Sequence, residues 1–196
     1  MNLPNKITTF RMICVVFIAI FLLIPTDGIL VVPFFELPIT SIIAWILFII
    51  ASISDFVDGH IARKYNLVTD YGKFMDPIAD KLLVNTVLII LSVYGVIPVI
   101  CTIIMIARDT IVDAVRMNAV RKNIVVAANI FGKLKTVLQM VALVFLLIND
   151  FGLSTLLNLP EGLYIGQILL YLATIASFAS GVIYLIQNKD VFSEMK

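Results

Sequence analysis

The sequence predicts an all-α, polytopic membrane protein: one domain over residues 1–196, with six transmembrane helices and both termini on the cytoplasmic side. Three observations lead there. Apolar residues make up 61% of the 196 positions and charged residues only 14%, and the mean hydropathy is +1.09, far from the balance of a soluble domain. The apolar residues fall into blocks close to the roughly 20 residues that one helix needs to cross the hydrocarbon core. With the termini inside, all 14 Lys and Arg residues lie at or near the inner face, where basic residues of short loops accumulate.

The first block, 7–25, follows a basic start in which Asn5, Thr8 and Arg11 recur at three-residue spacing and share a helical face. Such a start is usually an interfacial anchor. No small-residue cleavage site precedes Pro25, so the block reads as a span and not as a signal peptide. The stretch ILVVPFFELPIT at 29–40 holds two prolines and a glutamate and reads as interfacial. The second span is 39–62. The run 77–117 is too long for one crossing, and Gly95 and Pro98 divide it into spans 77–95 and 96–117 joined by a tight turn. Spans 132–149 and 163–187 complete the set, and the outer loops carry only the acids Asp27, Glu36, Asp150 and Glu161.

A net charge of +1 offers no surface for a polyanion, so no nucleic acid is expected as a partner. Cys14 and Cys101 sit in separate apolar blocks and read as buried spectator thiols. Trp45, Tyr164 and Tyr184 read as belt or packing aromatics.

Most of the chemistry lies in one run, DFVDGHIARKYNLVTDYGKFMDPIAD at 55–80. At 100° per residue, Asp55, Asp58, Gly59, Ala62 and Arg63 fall on one helical face about 140° wide, and Asp76 and Asp80 lie one above the other at i, i+4. Four carboxylates therefore point from neighbouring helices toward a common space. Unpaired, each would cost several kcal/mol in a low-dielectric setting. A divalent cation removes that conflict, and an all-oxygen donor set suits Mg²⁺ or Mn²⁺, with four acids enough for two ions. Gly59, Ala62 and Gly72 leave room for a ligand to approach, and Arg63 offers a fork of donors for phosphate. Together these features describe a site for a metal-bound diphosphate. The competing reading is a solvated loop with internal pairs such as Asp58 to Arg63; helical phasing and the small residues argue against it.

Asp55, Asp58, Gly59, Ala62, Arg63, Gly72, Asp76 and Asp80 match all eight positions of a signature, and on them the chain resembles the CDP-alcohol phosphatidyltransferases. The resemblance implies that family's fold and a cell-membrane location with the active site facing the cytoplasm. It implies that Asp55, Asp58 and Asp76 hold one Mg²⁺ or Mn²⁺ and that Asp80 helps to hold a second and acts as general base. Gly59, Ala62, Arg63, Thr69 and Gly72, with Asn5 and Thr8, would meet the donor, CDP-diacylglycerol. The runs NLPNKITTFR at 2–11 and FGKLKTVLQM at 131–140, and the pair Arg108-Asp109, resemble the branch whose acceptor is glycerol 3-phosphate. Phosphatidylglycerol, inositol phosphate and serine are the alternative acceptors.

An acceptor with its own phosphate needs a second cationic pocket, and the candidates are Arg108, Arg116, Lys133 and Lys135, with Lys135 and Arg108 preferred as nearest the membrane boundary. Lys81 reads as structural or as a lipid-head contact. The family generally forms homodimers, and ATIASFASG at 173–181 has the small residues that permit close helix contact. Two other classes also bury carboxylates among membrane helices. A transporter or proton relay would not require the glycine and arginine positions, and an aspartate-rich prenyltransferase usually carries two separated acidic clusters.

Overall fold

Asn2 begins the first helix: its side chain accepts from the Asn5 backbone N–H at 3.3 Å, and Pro4 falls in the first turn, where no backbone bond is lost. The structure is a computed structural model describing residues 2–33, 36–65, 69–121, 130–157, 160 and 163–188. The side chains of Phe56, His60, Ala62, Arg63, Lys73, Val120, Arg121 and Thr155 also lie outside the described residues.

Seven α-helices lie within those stretches: α1 Leu3–Leu23, α2 Ile39–Lys64, α3 Asp70–Val93, α4 Val99–Arg121, α5 Ile130–Leu146, a single turn α6 Leu153–Leu156, and α7 Ile165–Gln187. The stretch expected to be interfacial forms a two-residue antiparallel hairpin, Val31–Val32 (β1) against Leu37–Pro38 (β2). Gly95, at φ +72°, turns the chain between α3 and α4 as its position before Pro98 predicts.

Helices run past the apolar blocks at their polar ends. Thr69 caps α3 by accepting from the Gly72 N–H at 3.1 Å, which starts that helix seven residues before Pro77 and brings Asp76 inside it. Pro77 then deprives the helix interior of one hydrogen bond directly after Asp76.

Among the described residues, three helices are long and apolar enough to cross a membrane by composition alone: α1, the Ile39–Gly59 part of α2, and α7, with hydropathies of 2.2, 2.1 and 2.0. α3 and α4 are diluted by charged residues, and α5 is as apolar as α1 but shorter. Asp76, Asp80 and Lys81 lie in α3, and Arg108, Asp109, Asp113 and Arg116 in α4. The 17-residue α5 carries Lys133 and Lys135.

The core is built from one stripe of each long helix, with Ile18, Phe48, Leu88, Met105, Leu143 and Leu170 at its centre. α1 packs along α2 and α3, while α5 packs along α7, which also receives α4. The small residues of 173–181 serve this internal packing. Ala173, Ser177 and Ser180 are fully buried, and Ile175 and Phe178 face outward instead.

At the end of the bundle away from the acidic run, Asp150 is fully buried and not exposed in a loop as expected. Its Oδ1 accepts from Gly166 N at 3.0 Å and its Oδ2 from Ile165 N, satisfying the open N–H groups of α7. The turn that delivers it runs through Asn149, Asp150, Phe151 and Gly152, all at positive φ.

Candidate active site

Arg11 lies at the centre of the acidic end. It projects from α1 with no solvent exposure, its Nη1 donating to Asp55 Oδ1 and its Nη2 to Asp58 Oδ2, both at 2.6 Å. One turn earlier on the same face, Thr8 Oγ1 donates to Asp76 Oδ1 at 2.6 Å. One turn earlier again, Asn5 Oδ1 accepts from Thr69 Oγ1 at 2.9 Å. The three-residue spacing thus stitches α1 to both acidic helices. Gly72 fits closely beneath, where an added Cβ would stand 3.3 Å from Asn5 Oδ1, 3.4 Å from Thr69 Oγ1 and 3.6 Å from Asp76 Oδ2. Asn5, Thr8, Thr69, Gly72 and Asp76 therefore form one cluster, with Asp55, Asp58 and, a turn along α2, Gly59 beside it. The side chains of Ala62 and Arg63 lie outside the described residues.

The donor set suits a hard divalent cation. Every ligand on offer is a carboxylate oxygen, and Asp58, whose side chain is only 4% exposed, sits within electrostatic reach of Asp55 and Asp76. That density of negative charge already holds one cation, the Arg11 guanidinium. Among the described residues no three such side chains are gathered as a ready ligand sphere; Asp55 Oδ1, Asp58 Oδ2 and Asp76 Oδ1 are turned to Arg11 and Thr8.

Asp80 opens on a different space. It lines a cavity of about 300 Å³ together with Arg108, Arg116, Lys133 and Lys135, so that all four residues singled out for an acceptor phosphate share one chamber with it. A volume at the lower end of the range for ligand sites suits a small molecule. The lining has five basic residues, Lys81 among them, against the acids Asp80, Asp109 and Asp113, which leaves an excess of positive charge. Asp80 feels Asp55 and Arg11 on one side and Lys135 and Asp109 on the other, so it stands where the acidic cluster and the cationic cavity meet.

Sequence reasoning missed several members. Lys81, read as structural or as a lipid-head contact, pairs with Asp113 of α4 and also lines the cavity. Arg116 Nε donates to the buried Tyr184 hydroxyl at 3.3 Å, which brings an aromatic read as belt or packing into the site. Gln139 is buried one turn from Lys135 along the cavity. The i, i+4 spacing of Asp109 and Asp113 and of Lys135 and Gln139 was the available signal.

Long apolar helices that end in a buried, charge-lined cavity are those of a membrane protein with a polar ligand site. The family model for CDP-alcohol phosphatidyltransferase matches residues 1–179. The chain is 40% identical over 188 residues to the CDP-diacylglycerol--glycerol-3-phosphate 3-phosphatidyltransferase of Bacillus subtilis, covering 95% of each chain. Proteins of the same name from Mycoplasma genitalium, 39% identical over 82% of this chain and 69% of that one, and Rickettsia bellii, 35% identical over 97% of each, are also similar. The chain belongs to the CDP-alcohol phosphatidyltransferase family.

Proposed function

We propose that the protein transfers the phosphatidyl group of CDP-diacylglycerol to glycerol 3-phosphate, giving phosphatidylglycerophosphate and CMP, on the cytoplasmic face of a cell membrane. In this reading the chain crosses the membrane six times with both termini inside and acts as a homodimer. The names of the relatives support the two substrates, and the one-sided placement of Lys and Arg supports the orientation. The observation that carries the reading is the single cavity joining Asp80 to Arg108, Arg116, Lys133 and Lys135.

Asn5, Thr8, Gly59, Ala62, Arg63, Thr69 and Gly72 would receive the CDP end of the donor. Asp55, Asp58 and Asp76 would hold one divalent cation and Asp80 would help to hold a second; Mg²⁺ or Mn²⁺ bound there supplies charge stabilisation for the diphosphate. Arg108, Arg116, Lys133 and Lys135 hold the phosphate of the acceptor and so aim its hydroxyl. Asp80 takes the proton of that hydroxyl as its oxygen bonds to the β-phosphorus; the bond from that phosphorus to the bridging oxygen breaks, and its electron pair leaves with CMP. Positioning of the two substrates in line contributes more than basicity.

The test is release of labelled CMP from CDP-diacylglycerol in detergent, with and without glycerol 3-phosphate. Acceptor-dependent release is expected; a transporter or a prenyltransferase would give none. Chelation of divalent ions should stop the release, and added Mg²⁺ or Mn²⁺ should restore it; undiminished turnover after exhaustive chelation would remove the metal from the scheme. Lys135→Ala should raise the KM for glycerol 3-phosphate by about tenfold or more, the worth of a charged hydrogen bond. The KM for the lipid donor should stay put, and an unchanged acceptor KM would take Lys135 out of the pocket.

A further inference from the structure

α4, α5 and α7 meet around one side chain. Arg108 leaves α4 and lies between two glycines of the facing helices: a Cβ at Gly132 of α5 would stand 2.7 Å from its Nη2, and one at Gly181 of α7 would stand 3.1 Å from its Cγ. Its Nη2 donates to Ser180 Oγ at 2.6 Å and its Nη1 to Asp109 Oδ1 at 3.0 Å. The other oxygen of Asp109 accepts from Lys135 Nζ at 2.7 Å. Asp109 therefore joins a cation of its own helix to a cation of α5, and all three side chains are at most 13% exposed.

This arrangement does more than balance charge. Two cations brought together in a poorly solvated wall repel each other, and one carboxylate shared between them offsets the repulsion while leaving a net positive charge. A guanidinium is planar, so its donors point usefully only if the plane is set. Any side chain larger than hydrogen at Gly132 would push that plane over. We propose that Gly132, Gly181 and Asp109 are positioning residues for acceptor recognition. The glycines form a slot that orients Arg108, and Asp109 clasps Arg108 and Lys135 into one frame that presents two cations to a phosphate monoester. The inference rests on the reading above that the acceptor carries a phosphate.

The clash at Gly132 falls on the far end of a long, flexible side chain and not on backbone, so Gly132→Ala should fold and its effect should appear as a displaced guanidinium. The experiment compares Gly132→Ala, Asp109→Asn and Asp109→Glu with Gly166→Ala. The last disturbs the same α5–α7 pair far from Arg108, against Leu146. Gly132→Ala and Asp109→Asn should each raise the KM for glycerol 3-phosphate by about tenfold or more with the KM for CDP-diacylglycerol within about twofold of wild type. Asp109→Glu should recover part of the loss, and Gly166→Ala should lower Tm without moving the acceptor KM. Equal changes in both KM values, or an acceptor effect from Gly166→Ala as large as that from Gly132→Ala, would overturn the proposal in favour of plain helix packing. Absence of glycerol 3-phosphate-dependent CMP release by the wild type would instead overturn the reaction. The positioning claim then stands or falls on whether inorganic phosphate raises the Tm of the wild type and not that of Gly132→Ala.

Discussion

Asp80→Asn should lower kcat by about a thousandfold or more while CDP-diacylglycerol still binds. The amide keeps the shape of the carboxylate and removes its ability to accept a proton. It also deletes one negative charge at the point where the acidic cluster adjoins the cationic cavity. Donor binding should survive because the residues proposed to meet the donor form a cluster that Asp80 does not complete: Asp55 and Asp58 on α2, Asp76 nearer the start of α3, and Asn5, Thr8 and Thr69 around them. Single-turnover CMP release together with retention of labelled donor by the purified variant separates the two effects. Wild-type turnover would refute the role of Asp80, and lost donor binding would move Asp80 into the donor site.

The largest expected effect on stability comes from Arg11→Met. Methionine keeps much of the apolar stem of the side chain and removes the guanidinium that bridges Asp55 and Asp58. Asp55 is 44% exposed and can turn to water, but Asp58 at 4% cannot. Deleting one partner of a buried pair leaves an uncompensated charge, at a cost of about 3–5 kcal/mol. In chelator the variant should therefore melt well below the wild type. Divalent ions should narrow the gap, since any cation bound among these aspartates offsets the same excess. An equal gap with and without Mg²⁺ would show that Arg11 contributes by packing and not by charge.

Much of this architecture was legible in the sequence for a simple physical reason: helices that lie in lipid need long apolar blocks, and turns between them need glycine or proline. Gly95 and Pro98 divided α3 from α4 correctly, and the two prolines of 29–40 excluded a span. The faces of α1 and α2 were legible too, because a 100° step places Asn5, Thr8 and Arg11, or Asp55 and Asp58, without knowledge of the fold. What a helical face meets was not legible. Arg11 read as an anchor because nothing local says that α1 lies against Asp55 and Asp58, and Lys81 was set aside because its partner Asp113 is 32 residues away. The early start of α3 came from the Thr69 cap, a polar signal outside the apolar block. The small residues of 173–181 pointed to close contact, and the fold places that contact within the chain. Asp150 was hidden for another reason: a run of four positive φ angles carries it inward, a conformation that residues other than glycine seldom adopt.

The unequal hydropathy of the helices bears on how the protein is made. A translocon releasing segments sideways into lipid would accept α1, α2 and α7 readily, but each charge near the middle of α3 or α4 opposes release by about 3 kcal/mol. Those helices need earlier neighbours to shelter their polar faces. For α4 and α5 the main shelter is α7, which comes later in the chain. The cavity beside Asp80, to which α7 contributes Tyr184, is therefore finished only when α7 emerges from the ribosome, so a nascent chain is expected to be inactive until its synthesis has passed that helix.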